Sequence, residues 1–284
     1  MKNMQDVKIS FPRDEEELFE ELNEKTAVLN GGTDVMVKCR TGSFPAERLV
    51  SLEKMEGLSG ISDEGDSVRI LCRTTHHDLM ESRLICDSFP LLVKTVYEIG
   101  STQIRNRGTL AGNIVNASPA ADGLLALYIL NAFVVLKSGT GEKTVRIEDF
   151  IKGPGKTVLE KGEYLHSIII PKVSEQYHPY FKKVGQRKAM AIAIASIGAV
   201  YKLKKNRIMD IRLAFGSLGP RIIRPHRLES DLRGKVFNPE TFLAFSEKIA
   251  DIVTPISDVR ASKQYREKVA RNLFIGLGYS NSGT

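Results

Sequence analysis

The sequence predicts an α+β protein of two domains, on three observations. A chain of 284 residues is long enough for two ordinary domains, each with its own core. Strand-like and helix-like segments alternate up to Pro171, whereas beyond Pro179 three strands come first and helices follow. Two prolines and a polar stretch separate these regions, which places the boundary at 174/175.

In chain order, Thr26 to Leu29 is a short apolar strand that stops at Asn30-Gly31-Gly32, and a helix starts near Asp34. Ser67 to Cys72 alternates as a strand. Thr75-His76-His77-Asp78 then fits a capping box with Asp in the usual Glu position, so both histidines read as helix-start residues that cannot share one metal. An amphipathic helix spans Phe89 to Ile99, a polar, glycine-rich loop runs from Gly100 to Asp122, and a helix covers Gly123 to Asn131. Ala132 to Lys137 and Lys143 to Ile147 flank the turn Ser138-Gly139-Thr140-Gly141 as a hairpin, and Tyr164 to Ile170 is a further strand. After the break, strands are expected at Tyr180 to Val184, Ala191 to Leu203 and Ile208 to Gly216. Helices are expected at Pro225 to Leu232, Pro239 to Ile252 and Val259 to Leu277.

Composition excludes several classes. Apolar residues make up 42% and charged residues 26%, as in ordinary soluble proteins, and no segment has the bias of a disordered tail. The start, Met1 to Asp6, has no apolar stretch behind its lysine, and the run Ala189 to Tyr201 is well short of the ~20 residues that span a bilayer. A cytoplasmic protein with no membrane partner is expected. Cys39, Cys72 and Cys86 form no C-x-x-C pair, so neither a disulfide framework nor a zinc or iron–sulfur site is indicated, and all three read as buried thiols. The net charge is +7, and Lys172 to Lys235 holds fifteen Lys and Arg against four Asp and Glu. No aromatic-interleaved basic motif accompanies that excess, so nucleic acid is not expected and an acidic partner, a phosphate-rich ligand or plain solvent remain open.

The residues that carry chemistry are two glycine turns in one domain, Asn30-Gly31-Gly32-Thr33-Asp34 and Gly108-Thr109-Leu110-Ala111-Gly112-Asn113. Glycine lets backbone N–H groups approach a ligand, and a nearby helix start favours anions, so a pair of such turns suits a diphosphate. Neither has the Rossmann spacing. Gly153-Pro154-Gly155-Lys156-Thr157 fails as a P-loop because Phe150 stands five positions before Gly155. No Ser/His/Asp set or carboxylate pair supports hydrolysis. Arg105 and Arg107 read as residues that fix their loop.

Together, Gly31-Gly32-Thr33-Asp34, Gln103 through Asn113 and Ala117-Ser118-Pro119-Ala120-Ala121-Asp122 resemble the FAD-binding subunit or domain of the xanthine dehydrogenase and carbon monoxide dehydrogenase family. The likeness covers nearly the whole chain. It implies a two-lobed FAD-binding domain similar to that of vanillyl-alcohol oxidase, with lobes at about 1–57 and 58–174, followed by a smaller α+β domain at 175–284. By position, Val28, Leu29, Asn30, Gly31, Gly32, Thr33, Asp34 and Val35 match the family's first pyrophosphate loop. Thr109, Leu110, Ala111, Gly112 and Asn113 match the second. Asp122 matches the acidic residue that holds polar groups of the cofactor, Leu165 and His166 lie where the family borders the flavin ring, and Lys182 matches a lysine from the C-terminal domain. His166 departs from the usual apolar or small residue. Read without the resemblance, Leu165 is a core strand residue and Lys182 an exposed one.

The resemblance further implies an electron-transfer subunit. A molybdenum subunit oxidises substrate, an iron–sulfur subunit relays electrons, and FAD on this chain passes them to an acceptor such as NAD. The Gly153–Thr157 turn and the Gln186–Ala191 stretch lean toward the xanthine and purine branch. The rival readings are a self-sufficient FAD oxidoreductase of the same fold and a non-catalytic basic binding module.

Overall fold

A computed structural model describes residues 7–43, 46–173, 177–187 and 191–280. The expected boundary at 174/175 and residues 188–190 of the Gln186–Ala191 stretch lie outside the described residues. Strands β1 (Lys8–Ser10), β2 (Thr26–Leu29) and β3 (Arg48–Ser51) form a small parallel sheet with β3 in the middle. Parallel neighbours need crossovers. The helix Glu15–Glu21 connects β1 to β2, and the helix Val35–Arg40 lies between β2 and β3.

The second sheet is built from β4 (Ile61–Asp63), β5 (Ser67–Leu71), β6 (Phe133–Ser138), β7 (Gly141–Arg146) and β10 (Tyr164–Pro171), all antiparallel, in the order β4-β5-β10-β6-β7. A hairpin of β8 (Ile151–Gly153) and β9 (Lys156–Thr157) contains the turn that fails as a P-loop, and Gly155 N–H donates to the carbonyl of Ala117. Tyr164, Leu165, Ser167, Ile168 and Ile170 are buried on the central strand. Glu15, at the head of the helix between β1 and β2, reaches the second sheet by accepting from Tyr164 Oη at 2.5 Å and Lys137 Nζ at 2.9 Å. Burial pushes that carboxyl up, but these two donors hold it below its ordinary value.

The C-terminal part is a meander of β11 (His178–Val184), β12 (Ala195–Lys204) and β13 (Arg207–Gly216). The helices His226–Leu232 and Lys263–Leu277 cover one face, and an aromatic chain Tyr201, Phe237, Phe242, Phe274 runs through this core at 4.4 to 5.1 Å between centroids. The other face meets the helix Asp122–Ile129, which is buried on every side because it lies between the two domains. Gly198 makes that approach possible: a Cβ there would sit 2.4 Å from Leu125 Cδ2. Arg224, nearly buried and held by Glu229 Oε1 of its own domain at 3.0 Å, fastens the domains by donating to Tyr128 O at 2.7 Å and Glu148 Oε1 at 3.2 Å.

The structure corrects several expectations. The stretch Gly100 to Asp122 is not one loop but holds the helices Thr102–Arg105 and Leu110–Val115, started by the Ser101 and Thr109 hydroxyls. The helix expected at Pro239 to Ile252 breaks into Pro239–Phe245, a 3₁₀ turn at Ser246–Lys248 and Ile249–Ile252. Cys86 is only partly buried, unlike Cys39 and Cys72. Among the described residues no helix is long and apolar enough to cross a membrane.

Candidate functional site

The two glycine turns are distant in sequence and touch in the fold. Strand β2 delivers Val28 and Leu29 into the first turn, where Gly32 takes a φ of +76° and its carbonyl accepts from Met36 N–H at the head of the Val35–Arg40 helix. Gly31 packs directly on the second turn, so that a Cβ there would lie 2.0 Å from the Arg107 carbonyl oxygen. Gly108 in turn faces the Thr33 hydroxyl and the His76 ring, and its carbonyl accepts from His76 N–H at 2.8 Å. The residue pair Thr75 and Thr109 bridges the same place, and Lys38 Nζ reaches Asn116 Oδ1 at 2.6 Å. One continuous wall results. The capping box at Thr75 is formed, with His76 buried and His77 exposed.

The second turn opens the Leu110–Val115 helix. Thr109 Oγ1 accepts from Gly112 N–H at 3.1 Å, and the amides of Leu110 and Ala111 precede the helix's own ladder. Asn113 Oδ1 and Asp122 Oδ1 are buried acceptors with no hydrogen-bond partner. Asn113 Oδ1 lies against the residue that follows Asp122, since a Cβ at Gly123 would fall 3.0 Å from it. Buried acceptors are rarely left unmatched, so the pair points to a ligand with donors. Asp122 Oδ2 is held at 2.9 Å by Lys183 Nζ, which also donates to Glu98 O at 2.7 Å. Desolvation raises the Asp122 carboxyl to about 6, against the pull of Lys183.

The lysine that reaches this seam is therefore Lys183, and not the neighbouring Lys182 singled out in the sequence. Successive strand residues face opposite ways, and Lys182 is exposed on the other face of β11, in register with Ile197. The signal was the two-residue period running from Phe181, which packs against the first core, to Lys183. The sequence also did not single out Glu98 or His76 for this site. His76 Nδ1 is buried without a partner, and burial pushes the ring down to about 4.

Strand β10 borders the first turn. Asn30 Nδ2 donates to Cys72 O at 2.6 Å, and Cys72 N–H donates to His166 O at 2.9 Å. The register with β6 slips between Leu165 and Ser167, leaving His166 as the extra residue of a bulge while Leu165 stays buried. His166 Nδ1 is a further buried atom without a partner, and burial pushes that ring below its ordinary value. Arg105 donates to the carbonyls of Tyr97, Ile99 and Gly100, fixing its loop.

These residues fit FAD. A wall of glycine turns and helix-start amides accommodates a diphosphate, and the buried oxygens of Asn113 and Asp122 match hydroxyl donors. Thr33 faces Gly108 on the same wall and Asp34 and Val35 follow it at the head of the next helix, whereas Lys182 is exposed on β11.

Comparison with known proteins agrees. Residues 5–173 match the FAD binding domain in molybdopterin dehydrogenase, and residues 180–277 match the CO dehydrogenase flavoprotein C-terminal domain. The chain is similar to the glyceraldehyde dehydrogenase medium chain of Sulfolobus acidocaldarius, 32% identical over 90% of each chain. It is also similar to the xanthine dehydrogenase FAD-binding subunit of Escherichia coli O157:H7, 32% identical over 86% of this chain and 84% of that one. Among solved structures, carbon monoxide dehydrogenase from Hydrogenophaga pseudoflava aligns with a TM-score of 0.89 and 26% identity, covering 95% of each chain.

Proposed function

The chain belongs to the FAD-binding medium-subunit family of the molybdenum hydroxylases, and on that premise we propose that it is the electron-transfer subunit of such an enzyme. In this reading it takes electrons from the iron–sulfur clusters of one partner, which a molybdenum subunit supplies by oxidising substrate, and hands them to NAD or another acceptor in the cytoplasm. The observation that carries the reading is the seam where two glycine turns meet and the buried Asn113 and Asp122 oxygens await donors. FAD supplies the conversion between single-electron and hydride transfer, and the protein supplies position.

The place of each residue supports its role in this reading. Residues Val28 to Val35 and Thr109 to Asn113 hold the diphosphate, Asp122 accepts from cofactor hydroxyls, and Leu165 with His166 borders the ring. Lys183 keeps Asp122 charged and ties it to the C-terminal domain, so it takes the part first read for Lys182. The domains divide at 174/175, with lobes at about 1–57 and 58–174. The Gly153–Thr157 hairpin and the Gln186–Ala191 stretch incline the reading toward purine dehydrogenases, although substrate choice lies on the molybdenum subunit.

Purification of the chain from its native source tests this. Stoichiometric flavin, iron and molybdenum in one complex, with anaerobic flavin reduction by the complex's substrate, is the expected result. A chain that elutes alone and oxidises a substrate unaided would replace the reading with a self-sufficient oxidoreductase. A colourless preparation would leave only a binding module.

A further inference from the structure

The helix Asp122–Ile129 carries Asp122 in its first turn and is buried along its whole length. Its other residues, Gly123 through Ile129, are apolar apart from the Tyr128 hydroxyl. Against the C-terminal sheet it packs closely at Gly198 and Gly216, where a Cβ would come within 2.4 Å and 3.2 Å of the Leu125 side chain. Apolar burial is non-directional, so it holds the helix in its layer without fixing it along its own axis.

Directional contacts stand at the two ends, and the C-terminal domain supplies them. At the head, Lys183 Nζ holds Asp122 Oδ2 at 2.9 Å. At the tail, the Arg224 guanidinium donates to the Tyr128 carbonyl at 2.7 Å and to Asn131 Oδ1. Asn131, at a φ of +55°, ends the helix in the left-handed region, and Ala132 N–H closes back onto the Leu127 carbonyl at 3.0 Å. A cation at this end also meets the negative pole of the helix. Arg224 is itself held from two sides. Its Nε donates to Glu229 Oε1 at 3.0 Å, an oxygen that also accepts Leu213 N–H of β13 at 2.8 Å, and Glu148 Oε1 of the first domain lies 3.2 Å from Nη1.

A hydrogen-bonded helix moves as a rod, so a shift at the Tyr128 end reaches the Asp122 end. There the fit is close, because a Cβ at Gly123 would fall 3.0 Å from Asn113 Oδ1. Asp122 Oδ1 is buried and has no partner of its own, so the helix decides where that acceptor stands.

We propose that Arg224 is a positioning residue for the cofactor. By holding the tail of the helix it sets where the Asp122 carboxylate meets the cofactor's hydroxyl donors, about 9 Å away along the axis at the rise of an α-helix. The proposal rests on the reading of Asp122 given above. Through Arg224 the C-terminal domain acts on the cofactor site from the far end of the helix.

The first variant is Arg224→Lys in the full chain, which keeps a cation between Glu229 and Glu148 but loses the planar fork that reaches the Tyr128 carbonyl. Fluorescence titration of protein with wild-type far-ultraviolet dichroism should show FAD bound about tenfold more weakly, the fold-change of about one hydrogen bond. A general loosening would weaken FAD whether or not Asp122 is present, and a positioning role would not. The same change is therefore made in Asp122→Ala/Lys183→Met, where carboxylate and cation leave together and no buried charge is stranded. That background should itself bind FAD about tenfold more weakly, and Arg224→Lys should weaken it no further. Equal losses in the two backgrounds would overturn the proposal, as would wild-type FAD affinity in folded Arg224→Lys. Should Arg224→Lys not fold, Asn131→Gly decides, since glycine takes the φ of +55° freely and Arg224 keeps its carboxylates while losing one anchor on the tail. Weaker FAD binding that disappears in the Asp122→Ala/Lys183→Met background would support the proposal, and wild-type affinity would overturn it. Wild-type affinity in Asp122→Ala/Lys183→Met would remove Asp122 from the site, and the role of Arg224 with it.

Discussion

Two titratable side chains of the seam respond to acid in opposite senses. The folded-state carboxyl of Asp122 lies at about 6 instead of 3.8, so between those values the native state holds its proton while the unfolded chain has lost it. Its contribution is present at pH 4 and is lost as pH rises through about 6, a change of about 3 kcal/mol at 1.36 kcal/mol per pH unit. His76 is pushed down from 6.5 to about 4, so its contribution is present above pH 6.5 and is lost, by about 3 kcal/mol, as pH falls toward 4. In the apoprotein the two nearly cancel. Denaturant midpoints measured from pH 4 to 7 should therefore show the Asp122→Asn variant gaining stability with pH more steeply than wild type, and His76→Gln losing it. Parallel curves for all three proteins would contradict this account. The glycines separate in the same way: Gly31 has no room for a Cβ against the Arg107 carbonyl, whereas exposed Gly112 meets only the Thr109 hydroxyl at 3.1 Å. Gly112→Val should thus keep its far-ultraviolet dichroism and lose FAD affinity by about tenfold or more through blocked approach, and Gly31→Val should unfold locally. Unchanged FAD titration in folded Gly112→Val would remove the second turn from the site.

At the scale of elements, β11 decides which lysine enters the seam, and strand alternation makes that choice binary. Lys183→Met should leave the buried Asp122 carboxylate without its cation at a cost of about 3 kcal/mol near neutral pH. The loss should shrink toward pH 5, where Asp122 takes up a proton instead. Pairing it with Asp122→Asn should recover most of the loss, and additive effects in that double-mutant cycle would show that the two do not act as a pair. Lys182→Met should change stability little, because its side chain is exposed. Elements governed by nearby residues are legible in the sequence: the strand Thr26–Leu29, the hairpin around Ser138–Gly141 and the capping box at Thr75 all match. Elements that depend on distant partners are not. The short β3 carries little pattern of its own and becomes a strand because β1 and β2 flank it. The helices inside Gly100 to Asp122 are hidden by their glycines and polar caps, although Ser101 and Thr109 were the available signals.

For the whole molecule, the glycine turns were legible as a pair suited to one diphosphate, but the contact that joins them was not, because Gly31 and Arg107 meet only through the fold. The basic excess from Lys172 to Lys235 was legible in the same limited way. The structure divides it into cations with internal work and cations facing solvent. Lys183 and Arg224 are nearly buried in ion pairs, and Arg212 and Arg233 share Asp210. The exposed remainder includes Lys204, Lys205, Arg207 and Lys235, gathered where Arg207 donates to Gly234 O and Ile208 N–H to Lys235 O. Exposed charge of one sign accelerates encounter with an acidic surface and is screened within about 10 Å at 0.1 M salt. Changing Lys204, Lys205 and Lys235 together to Gln should therefore slow assembly of the complex by up to about tenfold at low salt and by much less at 0.5 M. Because this turn is remote from the seam, flavin content and the rate of substrate-driven flavin reduction in the assembled complex should stay at wild-type values. Stopped-flow association at two ionic strengths, with anaerobic reduction of the finished complex, measures both. A slowed reduction step would place the turn in the electron path, and an association rate equal to wild type at low salt would leave these lysines as a solvated face.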